Sequence, residues 1–137
     1  MKLLLVGCTH RASGVDVRQQ LAFGDSQAGD ALHQWRARFP GAELVLVSTC
    51  NRVELYAGAL DAAASPTSDE LLDALLSYHH VPVERVQGQV LALAQRDAVA
   101  HLYRVAASLD SMVIGEPQIL GQLKDFYARA ASVGSTG

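Results

Sequence analysis

The feature that most constrains this chain is a pair of short apolar runs with a five-residue polar segment between them. Residues 44–47 are continuously apolar, and Val53, Leu55 and Ala57 then alternate with other residues. Runs of this length are typical of β-strands, and a short polar segment between two of them favours a hairpin. The alternation also predicts a wetter face on the second strand, the face that carries Glu54, Tyr56 and Gly58.

The rest of the chain adds two strands and two helices to this hairpin. Residues 3–7 are an apolar run closed by glycine, which is typical of a strand buried on both faces. Helical spacing over residues 26–39 predicts a first helix, and a capping box at residues 67–70 predicts a second that ends near His79. Residues 89–93 are a weaker strand candidate. The order β-α-β-β-α-β predicts an α+β fold, a ferredoxin-like split βαβ sandwich whose antiparallel sheet carries helices on one face.

A C-terminal helical extension is expected after this sandwich. Asp97 opens a helix whose apolar stripe consists of Leu102, Val105, Ala106 and Leu109. Pro117 suits the first turn of a last helix, which fades at Gly134. Its apolar side carries Ile119, Leu120, Leu123, Phe126, Tyr127 and Ala130.

Composition and charge exclude several classes of protein. Half of the residues are apolar and 18% are charged, which is a globular balance. The net charge of −3 lacks the excess of Lys and Arg on which nucleic-acid binding usually depends. The apolar run at residues 3–6 is too short for a signal peptide or a membrane span, so a cytoplasmic location is expected.

No pattern for a cofactor or a metal is present. No Gly-x-Gly-x-x-Gly follows the first strand, where a dinucleotide-binding fold needs it. Cys8 and His10 are too close in sequence to match a usual zinc pair, and His79 and His80 lack cysteine partners. We therefore expect neither cofactor-binding nor metal-binding residues in this chain.

Cys50 is the candidate nucleophile. The chain has two cysteines, too few for a disulfide framework, and a lone cysteine is most often a small buried hydrophobic residue. Cys50, unlike Cys8, lies in a polar segment, with Arg52 two residues away. A nearby cation favours the reactive thiolate form of a thiol.

Two further groups have both a structural and a functional interpretation. His101 lies on a helix with Arg104 and Ser108 on the same face, and it is either a partly buried histidine with its ring satisfied or an acid or base near the cysteine. Ser111 and Glu116 either cap helix ends or belong to a substrate-binding loop between two helices.

Several segments resemble glutamyl-tRNA reductases. Residues 48–56 read STCNRVELY and residues 109–122 read LDSMVIGEPQILGQ, similar to the two signatures of that family. Residues 7–11 and 101–106 also resemble it. Residues 12–14 and 17–19 differ from the usual Thr-Ala-Pro and Leu-Arg-Glu of the family.

The resemblance implies a reaction and its residues. In this family a cysteine, here Cys50, attacks the ester of glutamyl-tRNA, and NADPH reduces the resulting thioester to glutamate-1-semialdehyde for tetrapyrrole synthesis. Arg52 matches the residue that pairs with the substrate carboxylate, and His101 matches a histidine important for activity. The other positions that match substrate contacts are Thr49, Asn51, Ser111, Glu116, Pro117, Gln118 and Gln122, of which Glu116 suits the substrate ammonium.

The resemblance also implies an organisation into domains. Residues 1–109 correspond to the catalytic ferredoxin-like domain, and residues 110–137 to a substrate loop and a linker helix leading toward an NADPH-binding domain that lies beyond this chain. The whole protein is expected to be a homodimer through a further C-terminal domain. The chain alone is expected not to reduce its substrate and to act at most as a slow esterase.

Two other functions remain open. A ferredoxin-like module for RNA or a small effector is one, although RNA-binding sheets usually display aromatic and basic residues and only 6% of this chain is aromatic. A cysteine hydrolase or acyltransferase that uses Cys50 and His101 is the other, and it leaves residues 115–122 without a role.

Overall fold

The computed structural model describes residues 1–107, 128, 130 and 131. The elements in chain order are β1 (Lys2–Thr9), α1 (Val15–Leu21), α2 (Asp25–Arg38), β2 (Glu43–Ser48), β3 (Arg52–Ala59), α3 (Ser68–Tyr78), β4 (Leu91–Ala94) and α4 (Gln95–Ala106). Short 3-10 turns occur at Ala62–Ala64 and Val83–Val86. The predicted boundary at residue 109 and the start of the helix expected from Pro117 lie outside the described residues.

The four strands form one sheet in the order β2-β3-β1-β4. All three neighbouring pairs are antiparallel, with Leu5 opposite Tyr56 and Leu46 opposite Leu55. The β2–β3 hairpin and the α+β class predicted from the sequence are confirmed. The narrower ferredoxin-like assignment stays a prediction.

Helices cover both faces of this sheet. On one face, alternate residues of the strands, such as Val6 and Leu55, form a core with α1, α2 and α3. The helices contribute Leu21, Leu32 and Leu75 to it, in that order. Residues on the opposite face, including Leu5, pack against Ala98 of α4. The sequence left the position of the C-terminal extension open, and α4 takes the face that the other helices leave uncovered.

This position of α4 corrects the expected wet face of β3. Glu54 is fully buried and Tyr56 is 6% exposed, although the alternation predicted that both face solvent. The prediction was wrong because it took polar-tipped side chains as evidence for water, whereas these two lie on the sheet face that α4 covers.

The buried stripe of α4 also differs from the expected one. Its buried residues are Ala98, His101 and Val105, at helical spacing, whereas Leu102 is 37% exposed. Only Val105 of the described part of the predicted stripe is buried, and Leu109 lies outside the described residues. The buried stripe lies one position out of phase with the apolar residues, because the buried His101 takes a place that apolar periodicity alone assigns to Leu102.

One helix, α1, has no counterpart among the elements predicted from the sequence. α1 is only seven residues long and begins after Gly14, which supplies no side-chain cap. Such a helix lacks both the length and the capping signal that sequence patterns require.

No helix among the described residues is long and apolar enough to cross a membrane.

Candidate active site

A tight turn joins β2 to β3 and carries Cys50. The amide of Thr49 donates to the carbonyl of Arg52 at 2.8 Å, and the amide of Asn51 donates to Oγ1 of Thr49 at 3.1 Å. From the loop after β1, the amide of His10 donates to the carbonyl of Asn51 at 2.8 Å. Backbone and side-chain hydrogen bonds therefore hold the turn both internally and to its neighbour in the sheet.

The two thiols have opposite environments. Cys50 is exposed, and its Sγ lies 3.7 Å from Oδ1 of Asn51, whereas Cys8 on β1 is fully buried. Burial raises the pKa of the Cys8 thiol, and weaker contributions from Ser13 and the Val53 backbone oppose this. The interpretation as a small buried hydrophobic residue therefore holds for Cys8 and is wrong for Cys50, which is exposed.

A buried polar cluster lies on the α4 side of β3, next to this turn. Arg52, Glu54 and Tyr56 are alternate residues of the strand and therefore point to the same face. Nη1 of Arg52 lies 3.8 Å from Oε2 of Glu54, and Oη of Tyr56 donates to Oε1 of Glu54 at 3.0 Å. His101 of α4 contacts the same carboxylate through Nε2. One carboxylate thus connects a strand to the helix that covers it.

The contact with Glu54 defines what His101 can do. A carboxylate only accepts hydrogen bonds, so with Glu54 in that form the N–H of Nε2 on His101 is the donor in this contact. Nδ1 is then the ring nitrogen left for any other partner. Within residues 1–107, no hydrogen bond joins His101 to Cys50, and the structure does not form the direct Cys–His pair of a cysteine hydrolase.

Arg52 is a buried cation that faces a buried carboxylate. Its side chain is 1% exposed, and it already faces the carboxylate of Glu54. A guanidinium has five donors in a planar fork, so it can serve a second carboxylate as well as the first. A substrate carboxylate at Arg52 would share the cation with Glu54.

Glu54 is the site residue to which the sequence reasoning assigned no role. In the sequence it stands only as a member of the strand face predicted to be wetter and of the segment STCNRVELY. The signal that could have identified it is the run of Arg, Glu and Tyr at alternate positions of one strand, since three hydrogen-bonding side chains on one face can satisfy each other when buried.

The structure brings some of the predicted site residues together and leaves others aside. Thr49, Cys50 and Asn51 share the turn, while Arg52 and His101 meet through Glu54. The remaining candidates, Ser111, Glu116, Pro117, Gln118 and Gln122, lie outside the described residues.

The described residues do not fit the nicotinamide cofactor that the family resemblance implies. Dinucleotides bind at the carboxyl ends of parallel strands with a glycine-rich turn, whereas every strand pair described here is antiparallel and no such turn follows β1. The described residues also contain no group of three or more His, Cys, Asp or Glu placed to hold a metal ion.

Comparison with known proteins places this site in a family. The family model described as "Glutamyl-tRNAGlu reductase, N-terminal domain" matches residues 6–137. A glutamyl-tRNA reductase of Rhodopirellula baltica is 44% identical over all of this chain and 32% of its own length. One of Geobacter sulfurreducens is also 44% identical, over 31% of its length.

A solved structure has the same fold. The structure titled "Glutamyl-tRNA Reductase from Methanopyrus kandleri" superposes with a TM-score of 0.77 at 31% identity, over 98% of this chain and 29% of the other. The chain thus spans about a third of the length of the curated relatives it matches. By the match of the family model over nearly its whole length, the chain belongs to the family of glutamyl-tRNA reductase N-terminal domains.

Proposed function

We propose that this chain is the catalytic domain of a glutamyl-tRNA reductase and that Cys50 is its nucleophile. The observation that carries the proposal is the exposed thiol of Cys50 on a hydrogen-bonded turn, in a chain of this family. Loops held by a rigid sheet are common places for catalytic groups. The relatives are named for an enzyme that acts on glutamyl-tRNA.

The covalent step follows from thiol chemistry. The sulfur of Cys50 attacks the ester carbonyl, a sulfur–carbon bond forms, and the carbon–oxygen bond to the tRNA ribose breaks. The proton lost by the thiol is gained by the departing ribose oxygen, which becomes a hydroxyl. The product is a thioester between Cys50 and glutamate, which splits one difficult reaction into two easier ones.

Other residues of the site have proposed roles in binding. Arg52 pairs with the side-chain carboxylate of the substrate, and the buried carboxylate of Glu54 holds both Arg52 and His101. His101 supports activity from this cluster. The remaining proposed substrate contacts are Thr49, Asn51, Ser111, Glu116, Pro117, Gln118 and Gln122, with Glu116 taking the ammonium group.

The activity of the whole protein belongs to the same proposal. The whole protein would reduce the thioester with NADPH to glutamate-1-semialdehyde, the entry to tetrapyrrole synthesis, as a cytoplasmic homodimer. Residues 1–109 would form the catalytic domain with a ferredoxin-like fold, and residues 110–137 a substrate loop and a linker helix. Because the described residues do not fit a dinucleotide, the chain by itself would form the thioester and lose it slowly to water.

Trapping the acylated chain tests this proposal. The chain is mixed with glutamyl-tRNA, quenched with acid and weighed by mass spectrometry, with peptide mapping to locate the adduct. We expect one glutamyl group on Cys50 and none in the Cys50→Ser variant. An equal adduct in that variant would remove Cys50 as the nucleophile. Acylation by simple thioesters at the same rate as by glutamyl-tRNA would favour a general cysteine hydrolase instead.

A further inference from the structure

Arg18 is a buried cation beside the Cys50 turn that none of the steps above uses. It lies on α1 and is 7% exposed. Among the residues that the structure describes, no carboxylate forms an ion pair with it. A buried charge is costly unless hydrogen bonds compensate it, so the partners of this guanidinium indicate what it does.

Its partners are backbone carbonyls of two different loops and, at 3.5 Å from Nη1, the hydroxyl oxygen of Ser13. Nη1 of Arg18 donates to the carbonyl of Ser13 at 2.6 Å, and Nε donates to the carbonyl of Cys50 at 3.3 Å. Ser13 is in turn tied to the end of β1, since its Oγ donates to the carbonyl of Thr9 at 2.6 Å. One planar group therefore bridges the loop after β1 and the turn that carries the nucleophile.

The bridge restrains the residue whose placement matters most. The direction of the Cys50 carbonyl is coupled to the backbone torsions that aim the Cys50 side chain. Within residues 1–107, the other hydrogen bonds of the turn join Thr49, Asn51 and Arg52 to backbone groups or to each other, and the Cys50 thiol to the Asn51 side chain. In that part of the chain, Arg18 supplies the side-chain hydrogen bond that reaches Cys50 from outside the turn. An ammonium group offers a point charge and cannot span both carbonyls with the same fixed fork.

We propose that Arg18 is a positioning residue for Cys50, which uses its guanidinium to hold the turn in the orientation from which the sulfur attacks. The inference rests on the proposed acylation of Cys50 and adds to it a residue that does not touch the substrate. It predicts that the shape of the side chain matters as well as its charge.

The test compares Arg18→Lys and Arg18→Met with matched changes at Arg85. Arg85 is exposed and donates through Nε to Oε1 of Gln20 at 3.2 Å, so Arg85→Lys and Arg85→Met control for the substitution itself. We expect acylation of Cys50 by glutamyl-tRNA to fall about tenfold or more in both Arg18 variants, because small misplacements of reacting groups are costly. The Arg85 variants should acylate at the native rate.

Two further readouts separate placement from reactivity and folding. Alkylation of Cys50 by iodoacetamide demands no particular orientation, so its rate should stay within about twofold in Arg18→Lys. Hydrogen exchange of a peptide covering residues 48–52 should become faster in that variant, while circular dichroism stays native. If Arg18→Lys melts below the assay temperature, Arg18→Gln, which keeps the two N–H donors of a planar amide, replaces it.

The outcomes distinguish this inference from the function on which it rests. A native acylation rate in Arg18→Lys overturns it, since charge alone would then be sufficient. Acylation and alkylation falling by the same factor also overturn it, because the thiol itself would have changed. If the unaltered chain is not acylated, the proposed function fails. The positioning role is then tested by hydrogen exchange alone, and an unchanged exchange rate of residues 48–52 in Arg18→Lys would refute it.

Discussion

At the residue scale, the carboxylate of Glu54 contacts side chains from two elements. It accepts a hydrogen bond from Tyr56, faces the guanidinium of Arg52 and binds Nε2 of His101. All four residues are buried, so the charges of the cluster depend on each other for compensation. The cluster links the strand that leaves the Cys50 turn to α4.

Replacing Glu54 by glutamine tests this dependence. Glu54→Gln keeps the shape of the side chain but leaves the buried Arg52 facing a neutral amide, and we expect the free energy of unfolding to fall by about 3 kcal/mol. Urea denaturation at pH 7 measures the change. Glu43→Gln is the control, because Glu43 is exposed at the start of β2. Equal losses in the two variants would contradict the role given to Glu54.

At the element scale, the central strands β1 and β3 approach closely at Gly7. A Cβ atom built there would lie 2.1 Å from the carbonyl oxygen of Val53 and 2.7 Å from Cα of Glu54. Both are backbone atoms, so neither can rotate away as a side chain would. The glycine therefore allows β3 to lie beside β1 along the stretch that leads to the Cys50 turn.

Gly7→Ala should consequently force the two strands apart. We expect a loss of about 1–3 kcal/mol in the free energy of unfolding, as is usual when a packed site is overfilled. Gly58→Ala is the matched control on β3, since nothing lies within 4 Å of a Cβ atom at that position. Chemical denaturation of both variants measures the difference, and equal stabilities would show that the strands can absorb the added methyl group.

At the scale of the whole molecule, an aromatic cluster joins helices that are distant in the chain. The ring centroid of Phe23 lies 5.7 Å from that of Trp35 on α2 and 4.3 Å from that of His79 at the end of α3. Tyr78 completes the cluster, and its hydroxyl donates to Oδ2 of Asp30 on α2 at 2.9 Å. Burial in this cluster lowers the pKa of His79, helped by the neighbouring His80 and opposed by a bond to the Leu21 backbone.

This lowered pKa makes the stability of the whole molecule depend on pH. The unfolded chain binds a proton at His79 near the ordinary pKa of 6.5, and the folded chain binds it only at lower pH. The contribution of His79 is therefore complete above pH 6.5 and is lost as the pH falls toward the folded pKa. We expect the free energy of unfolding to fall as the pH is lowered from about 7.5 to about 5.5, a range that brackets the ordinary histidine pKa.

Two variants isolate His79 from the other histidines. In His79→Gln the fall in stability between these pH values should be smaller, since the group that titrates is gone. His33→Gln, at an exposed position of α2, should keep the full fall. Urea denaturation at each pH measures the difference, and identical pH dependence in the two variants would exclude His79 as its source.

The sequence by itself determined the parts of this protein that depend on near neighbours in the chain. Short apolar runs indicated β1 and the β2–β3 hairpin, the capping box at Thr67 marked the start of α3, and the polar segment placed Cys50 in an exposed turn. These features are local, because strand alternation, capping and turns are properties of a few consecutive residues.

Only the tertiary structure decided which faces are buried and which distant side chains meet. α4 covers the face of β3 that looked wet, and so Glu54 is buried with His101, a residue 47 positions away. Arg18 reaches the carbonyl of Cys50 across 32 positions. A polar side chain has the same local pattern whether water or a buried partner satisfies it, and only the packing of whole elements distinguishes the two.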